Sequence, residues 1–302
     1  MHIPDGFLST PVWAGLAAVS APAVGVLARK AQSGLDESRV PLMGVMGAFV
    51  FAAQMINFPV GIGASGHLLG GALLAITLGP APAAIVLTAI LAIQALVFQD
   101  GGLLALGANV FNMALAGVLA AWLPYRLLAG TRARRLGIFL AGFLSVFVSA
   151  CFCLGQLALS GVHMPGHVLA VAVAVFSVTA ALEGAITVAV VAALERVQPG
   201  WRREAPQPGR RLLILVGLAA FLLASAGFFL ASALPDGLER VAGLVGLQGR
   251  EQTLFVSPFP DYEALVIANP WLRNAAAGLA GLLLTLLVCL LAGRWISRWR
   301  NA

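Results

Sequence analysis

Long apolar runs recur along the whole chain with few charges inside them, and this feature alone restricts the fold to one class. Bounded by Gly, Pro or charge, they lie near 10–28, 40–57, 66–79, 81–98, 107–128, 137–159, 167–194, 212–233 and 274–293. A crossing of the hydrocarbon layer takes about 20 helical residues rising about 1.5 Å each, so most of these runs are long enough to span it. The 66–79 run is short. It ends in Gly79-Pro80-Ala81-Pro82, a tight turn that folds it and 81–98 into a helical hairpin. Only 10% of the 302 residues are charged and 60% are hydrophobic, where a soluble domain carries about a quarter charged. The expected fold class is an all-α polytopic membrane protein. A seven-helix bundle is followed by two further transmembrane helices flanking an extracytoplasmic segment. Membrane lipid is the expected surrounding. A soluble enzyme, a disordered chain and a nucleic-acid binder are excluded.

The net charge of +6 has a membrane explanation. In a nine-span arrangement, fifteen of the 18 basic residues fall on one side. They are Arg29, Lys30 and Arg39; Arg126, Arg132, Arg134 and Arg135; Arg196, Arg202, Arg203, Arg210 and Arg211; and Arg294, Arg298 and Arg300. Basic loops stay in the cytoplasm, so the expected location is a bacterial inner (cell) membrane, multi-pass, with the N-terminus extracytoplasmic and the C-terminus cytoplasmic. The start lacks the basic region and cleavage site of a signal peptide. Bulky His2 should hinder removal of the initiator, which leaves Met1 with a free amine on the outer face.

Residues 1–197 form the expected transmembrane core. The stretch QPGWRREAPQPGRR, 198–211, reads as a cytoplasmic linker, and 212–302 as a second unit of two spans around an outer segment. No G-x-x-x-x-G-K-[ST] loop occurs, so ATP hydrolysis by a P-loop is not this chain's work. No H-E-x-x-H pair is present either, which argues against a metal-dependent membrane enzyme. A self-sufficient secondary carrier needs ionisable groups at mid-membrane, and Glu183 is the one good candidate. It is expected to be protonated, paired with a cytoplasmic arginine, or used in coupling, with structural pairing the simplest of these. Cys151 and Cys153 point about 200° apart on a helix, too divergent to chelate one ion. His163 and His167 are separated by Pro165 and Gly166 and read as loop residues.

The N-terminal dipeptide carries the most specific chemistry. A free α-amine, the amide nitrogen of residue 2 and the Nδ1 of His2 can hold one metal in fused five- and six-membered chelate rings. The three nitrogens are coplanar and leave one in-plane position. Ions that favour square-planar nitrogen ligation, Ni(II) and Cu(II), suit a deprotonated amide, with Co(II) also able to use it. His67, at the end of FPVGIGASGHLLGG, follows the exit of the second span and so shares the face of Met1. On these residues alone, His2 as a solvated terminal residue and His67 as an interfacial histidine is the favoured reading, because two histidines are too few to establish a site.

The opening MHIPDGFLS, the stretch FVFAAQMINFPVGIGASGHLLGGAL (49–73) and QALVFQDGGLLALGANVFNMALAG (94–117) resemble the NikM/CbiM family, the substrate-binding subunits of energy-coupling-factor transporters for nickel and cobalt. Three motifs in order over the first 195 residues make the resemblance specific. It implies a metal held by the Met1 amine, the His2 amide and imidazole, and His67. Ala64 departs from the threonine-bearing turn expected in many relatives. The sequence Pro235-Asp236-Gly237-Leu238-Glu239 is similar to the PDGLE domain of the NikN/CbiN accessory subunits, so the chain looks like a fusion of the two.

The resemblance implies a substrate-capture subunit for Ni(II) or Co(II), not an enzyme. A transmembrane coupling subunit and cytoplasmic ATPase subunits would be its partners. A cobalt importer subunit serving cobalamin biosynthesis is the alternative, with nickel favoured by its stronger planar preference. Polar groups in lipid are costly and need partners. Ser65, Asn57, Gln94, Asp100 and Asn109, with Gln54 and Asn112, are expected to orient His67 and close the site; interhelical hydrogen bonding without a metal role is the rival reading. The small-residue stripe Gly44, Ala48 and Ala52 is expected either to dock on the coupling subunit or to pack within the chain.

Overall fold

The computed structural model describes residues 1–32, 35–199 and 207–298. Seven helices in it are long and apolar enough to cross a membrane, so this is a multi-pass membrane protein. In chain order, α1 is Thr10–Gln32, α2 Val40–Gln54, α3 Gly71–Leu78 and α4 Pro80–Ile93. The rod of α5 (Leu106–Asn109), a wide-turn stretch Val110–Gly117 and α6 (Val118–Leu128) follows, then α7 Arg134–Leu159 and α8 Gly166–Val197. The second unit holds α9 Arg210–Ala226, α10 Gly237–Val245 and α11 Pro270–Arg298. Part of the expected 198–211 linker, with Arg202 and Arg203, lies outside the described residues, as does Arg300.

Two expected spans are shorter than the sequence suggests. The 15 residues of α2 and 8 of α3 reach only about 22 Å and 12 Å at 1.5 Å per residue. Between them, where the sequence reading placed no span over 58–65, the chain forms a β-hairpin. Pro59 drives Phe58 out of the helical region. Asn57–Gly61 (β1) then pairs antiparallel with Ala64–His67 (β2), Asn57 opposite His67 and Phe58 opposite Gly66. The two-residue turn has φ of +55° at Ile62 and +67° at Gly63, the left-handed pair that a tight hairpin requires. The expected turn is present: Gly79 ends α3 and Pro80 opens α4, where its missing N–H costs nothing.

The second unit is packed on the first through α2. A Cβ on Gly44 would stand 2.7 Å from Leu290 of α11, and one on Gly47 would stand 2.8 Å from the Cys289 sulfur. Ala48 and Ala52 are buried. The small residues thus serve close packing within the chain, the second of the two expectations. At the basic end of the bundle Arg134 and Glu195 form an ion pair that ties the start of α7 to the end of α8.

Candidate functional site

The N-terminal segment lies inside the protein. Met1, His2 and Ile3 are all buried. Asn109 clamps the backbone of Ile3, accepting from its N–H at 2.8 Å and donating to its carbonyl at 3.0 Å. Asp5 accepts from Leu103 N at 2.9 Å and Ala105 N at 3.0 Å. This close approach needs glycine. A Cβ on Gly102 would sit 2.1 Å from an Asp5 carboxylate oxygen, and one on Gly101 would sit 3.1 Å from the His2 Cβ.

His67 is fixed from three sides. It ends β2, and its Nδ1 donates to the Leu68 carbonyl at 3.0 Å, which leaves Nε2 to accept from the Met1 amine. Glu183 accepts from the next two N–H groups, Leu69 at 2.7 Å and Gly70 at 2.8 Å. Gln54 donates to the Leu69 carbonyl at 2.8 Å. Glu183 therefore pairs structurally, with the backbone of the His67 loop instead of an arginine. Burial, then the neighbouring amine and His2, push the His67 imidazole down to about 3, so it is neutral and able to act as a ligand.

The two carriers meet at the amine. Met1 N is 3.1 Å from His67 Nε2, and the His2 and His67 rings lie 5.2 Å apart. Two carboxylates complete the cluster. The amine is paired with Asp236, and His2 Nδ1 lies 2.5 Å from Asp100 Oδ1. Asp100 Oδ2 accepts from the Tyr262 hydroxyl at 2.5 Å. Burial depresses the amine's proton affinity, but the charge and hydrogen bond of Asp236 outweigh it and lift the amine above its ordinary value. Asp100 shows the converse: burial pushes it up, and His2 beside it brings it below the usual carboxylate range. No group of three or more His, Cys, Asp or Glu side chains set to hold a metal occurs among the described residues.

The expected orienting residues divide into three kinds. Gln94, Asp100 and Asn109 act on the cluster directly or through one neighbour. Ser65 turns away from it: its N–H donates to the Pro235 carbonyl at 2.8 Å and its hydroxyl to the Leu234 carbonyl at 2.7 Å, which seats the Pro235-Asp236 turn beside β2. Asn57 faces His67 across the hairpin, and its carbonyl accepts from Ser232 N at 2.8 Å. Asn112 pairs with Gln156 of α7 at 2.9 Å, the interhelical reading. His163 and His167 are exposed and stand apart from the cluster. A cavity of about 500 Å³ opens onto it, lined by His2, His67, Asp100, Asp236, Glu239 and Asp261 among others.

Three residues were not placed at the site by the sequence reading. Glu183 was visible only as a lone acid in an apolar run. Asp236 and Tyr262 belong to the second unit, 235 residues from Met1 and 162 from Asp100. The Asp236 signal was its place in Pro-Asp-Gly, which opens α10 as a capping box with Glu239. Nothing local marks Tyr262.

Comparison with known proteins gives this arrangement a family. Residues 2–201 match the CbiM family model, "Cobalt uptake substrate-specific transmembrane region", and residues 210–298 match the PDGLE domain. A putative fused nickel transport protein NikMN of Archaeoglobus fulgidus is 34% identical over 293 residues, 95% of this chain and 96% of that one. The fused nickel transport protein NikMN of Rhodobacter capsulatus is 30% identical, with 94% of each chain covered. The crystal structure of a truncated transition metal transporter, 35% identical, superposes with a TM-score of 0.58 over 65% of this chain and 99% of that one. Family model, full-length relatives and architecture agree, and the chain belongs to the CbiM family of metal-transport proteins, with a PDGLE domain joined behind the CbiM region.

Proposed function

We propose that this nickel/cobalt transport protein is the metal-capture subunit of an energy-coupling-factor importer. It binds Ni(II) or Co(II) on the outer face with four nitrogens: the Met1 amine, the His2 amide and Nδ1, and His67 Nε2. The observation that carries this reading is the 3.1 Å approach of Met1 N to His67 Nε2 inside a buried cluster that also holds the His2 ring. Adjacent donors in a planar complex with bonds of about 2 Å sit about 3 Å apart. The carbonyl-bound Nδ1 of His67 supports the same role, since a ligating histidine commonly anchors its other nitrogen this way.

Charge supports it too. A divalent ion on one deprotonated amide leaves one positive charge, and Asp100 and Asp236 are at hand to neutralise it. Binding has the ion take the amine from Asp236 and His2 Nδ1 from Asp100, so both carboxylates are left beside the metal complex. Both full-length relatives are named for nickel, and Ni(II) has the stronger planar preference; nickel is therefore the favoured cargo. The chain works as two units, a core of 1–197 and an accessory unit of 212–302 joined by 198–211. The N-terminus and the site face outward, and a coupling subunit and separate ATPases drive release. The test is nickel uptake by cells expressing His67→Ala at matched levels: the expected result is loss of uptake with the protein still folded, and uptake at the normal level removes the assignment.

A further inference from the structure

Tyr262 sits where two polar paths meet. Its hydroxyl donates to Asp100 Oδ2 at 2.5 Å, and Asp100 holds His2 Nδ1. The Tyr262 hydroxyl oxygen in turn accepts from Gln94 Nε2 at 3.1 Å. Gln94 also donates to Gln54 Oε1 at 2.8 Å, and Gln54 donates to the Leu69 carbonyl, two residues beyond His67. A continuous chain of hydrogen bonds thus runs from the carrier of one histidine to the carrier of the other. Its one link from the second unit is a hydroxyl.

The backbone around Tyr262 is shaped to deliver it. Asp261 and Tyr262 have φ of +52° and +60°, a left-handed pair of non-glycine residues that persists only where the surroundings enforce it. Those surroundings are specific. The Tyr262 ring stacks on Phe98 at 4.7 Å and 18°, and Phe259 N donates to the Val97 carbonyl at 3.0 Å. On the core side, α4 ends in the wide turn Gln94–Phe98, and Gln99 has φ of +55°. Such a turn commonly marks a functional position, and here it aims Asp100 at His2.

We propose that Tyr262 is a positioning residue for the metal site, by which the fused accessory unit fixes the orientation of His2 through Asp100 and couples it to the His67 loop. This rests on the nitrogen ligand set proposed above. A ring held in the plane before the ion arrives loses less freedom on binding, so the hydroxyl raises affinity without touching the metal.

The test uses the full chain in detergent, titrated with Ni(II) by calorimetry, with the visible d–d band of the bound ion recorded alongside. Tyr262→Phe keeps the ring on Phe98 and removes only the hydroxyl. The expected result is affinity weaker by about ten-fold, an altered band and an unchanged melting temperature. Adding Asp100→Asn should cost no more than Asp100→Asn alone, because Tyr262 acts through that carboxylate. Wild-type affinity and band in Tyr262→Phe overturn the proposal, and so do additive losses in the double variant. If His67→Ala also binds Ni(II) normally, the ligand set has failed; if His67→Ala is silent while Tyr262→Phe is normal, only the role of Tyr262 has.

Discussion

The core and the fused accessory unit approach the site in opposite ways. Around His2 and His67 the core is closed, with Gln54, Gln94, Asn109 and Glu183 all buried and each bonded to a neighbour. The segment between α10 and α11 of the accessory unit is open, with Val256 82% and Val266 97% exposed. It reaches the cluster at two points, the Pro235-Asp236 turn and the Phe259–Tyr262 loop. Buried polar groups are costly to leave unpaired, and the core holds the two histidine segments by pairing the backbone groups of Ile3, Leu69 and Gly70. At the rim, solvent screens charge, and a segment there adjusts the site more than it builds it. If this division is right, damage to the core should abolish binding and damage to the accessory unit should only weaken it.

The largest expected effect comes from extending the chain by one residue before Met1. The extension turns the primary amine into an amide and adds bulk to a buried position, while every side chain stays in place. Nickel accumulation should vanish, whereas the same extension after Ala302 should be tolerated. Normal accumulation by the N-terminally extended protein makes the Met1 amine dispensable.

Next is Glu183→Ala, which strips two buried N–H groups of their acceptor at about 1–3 kcal/mol each. A clear fall in melting temperature together with loss of nickel binding is expected, with Glu183→Gln milder on both. A variant that binds normally would mean that the His67 loop does not depend on this carboxylate.

Cutting the chain within 198–211 tests the comparison more directly. The core alone should remain folded in detergent, since α2 would expose only an apolar, small-residue face once α11 is gone. Its nickel affinity should drop by at least the about ten-fold expected for Tyr262→Phe, read by calorimetry beside the intact protein. A core that aggregates assigns a structural role to the accessory unit and ends the two-unit division.

The smallest change belongs to Asp236→Asn. Asparagine also caps a helix well, so α10 should persist and only the charge at the amine is lost. The carboxylate faces a positive neighbour with or without cargo, so equilibrium affinity should move by less than about ten-fold. Capture should slow, because a negative vestibule raises the encounter rate of a cation. Stopped-flow binding at low and high salt separates the two, and an unchanged rate would sink the steering role.

The sequence by itself determined the membrane class, because hydropathy and length respond to lipid one segment at a time. It also carried the expectation of a planar chelate, because adjacent donors in Met1-His2 need no tertiary contact to form rings. His67, Asp100, Gln94 and Asn109 were within reach of the reading as polar residues in apolar surroundings, and the family resemblance implied the role proposed for His67. The β-hairpin of 57–67 had a local signal in Pro59 and the Gly61-Ile62-Gly63 turn, overridden by the apolar run around it. Only the tertiary structure decided the rest. It set Glu183 beneath the His67 loop, sent the small residues of α2 against α11, and brought Asp236 and Tyr262 to the histidines. Each is a pairing between segments more than 100 residues apart, chosen by which buried donor, acceptor or groove is left unfilled once the helices pack, and such a vacancy has no counterpart in the linear order of residues.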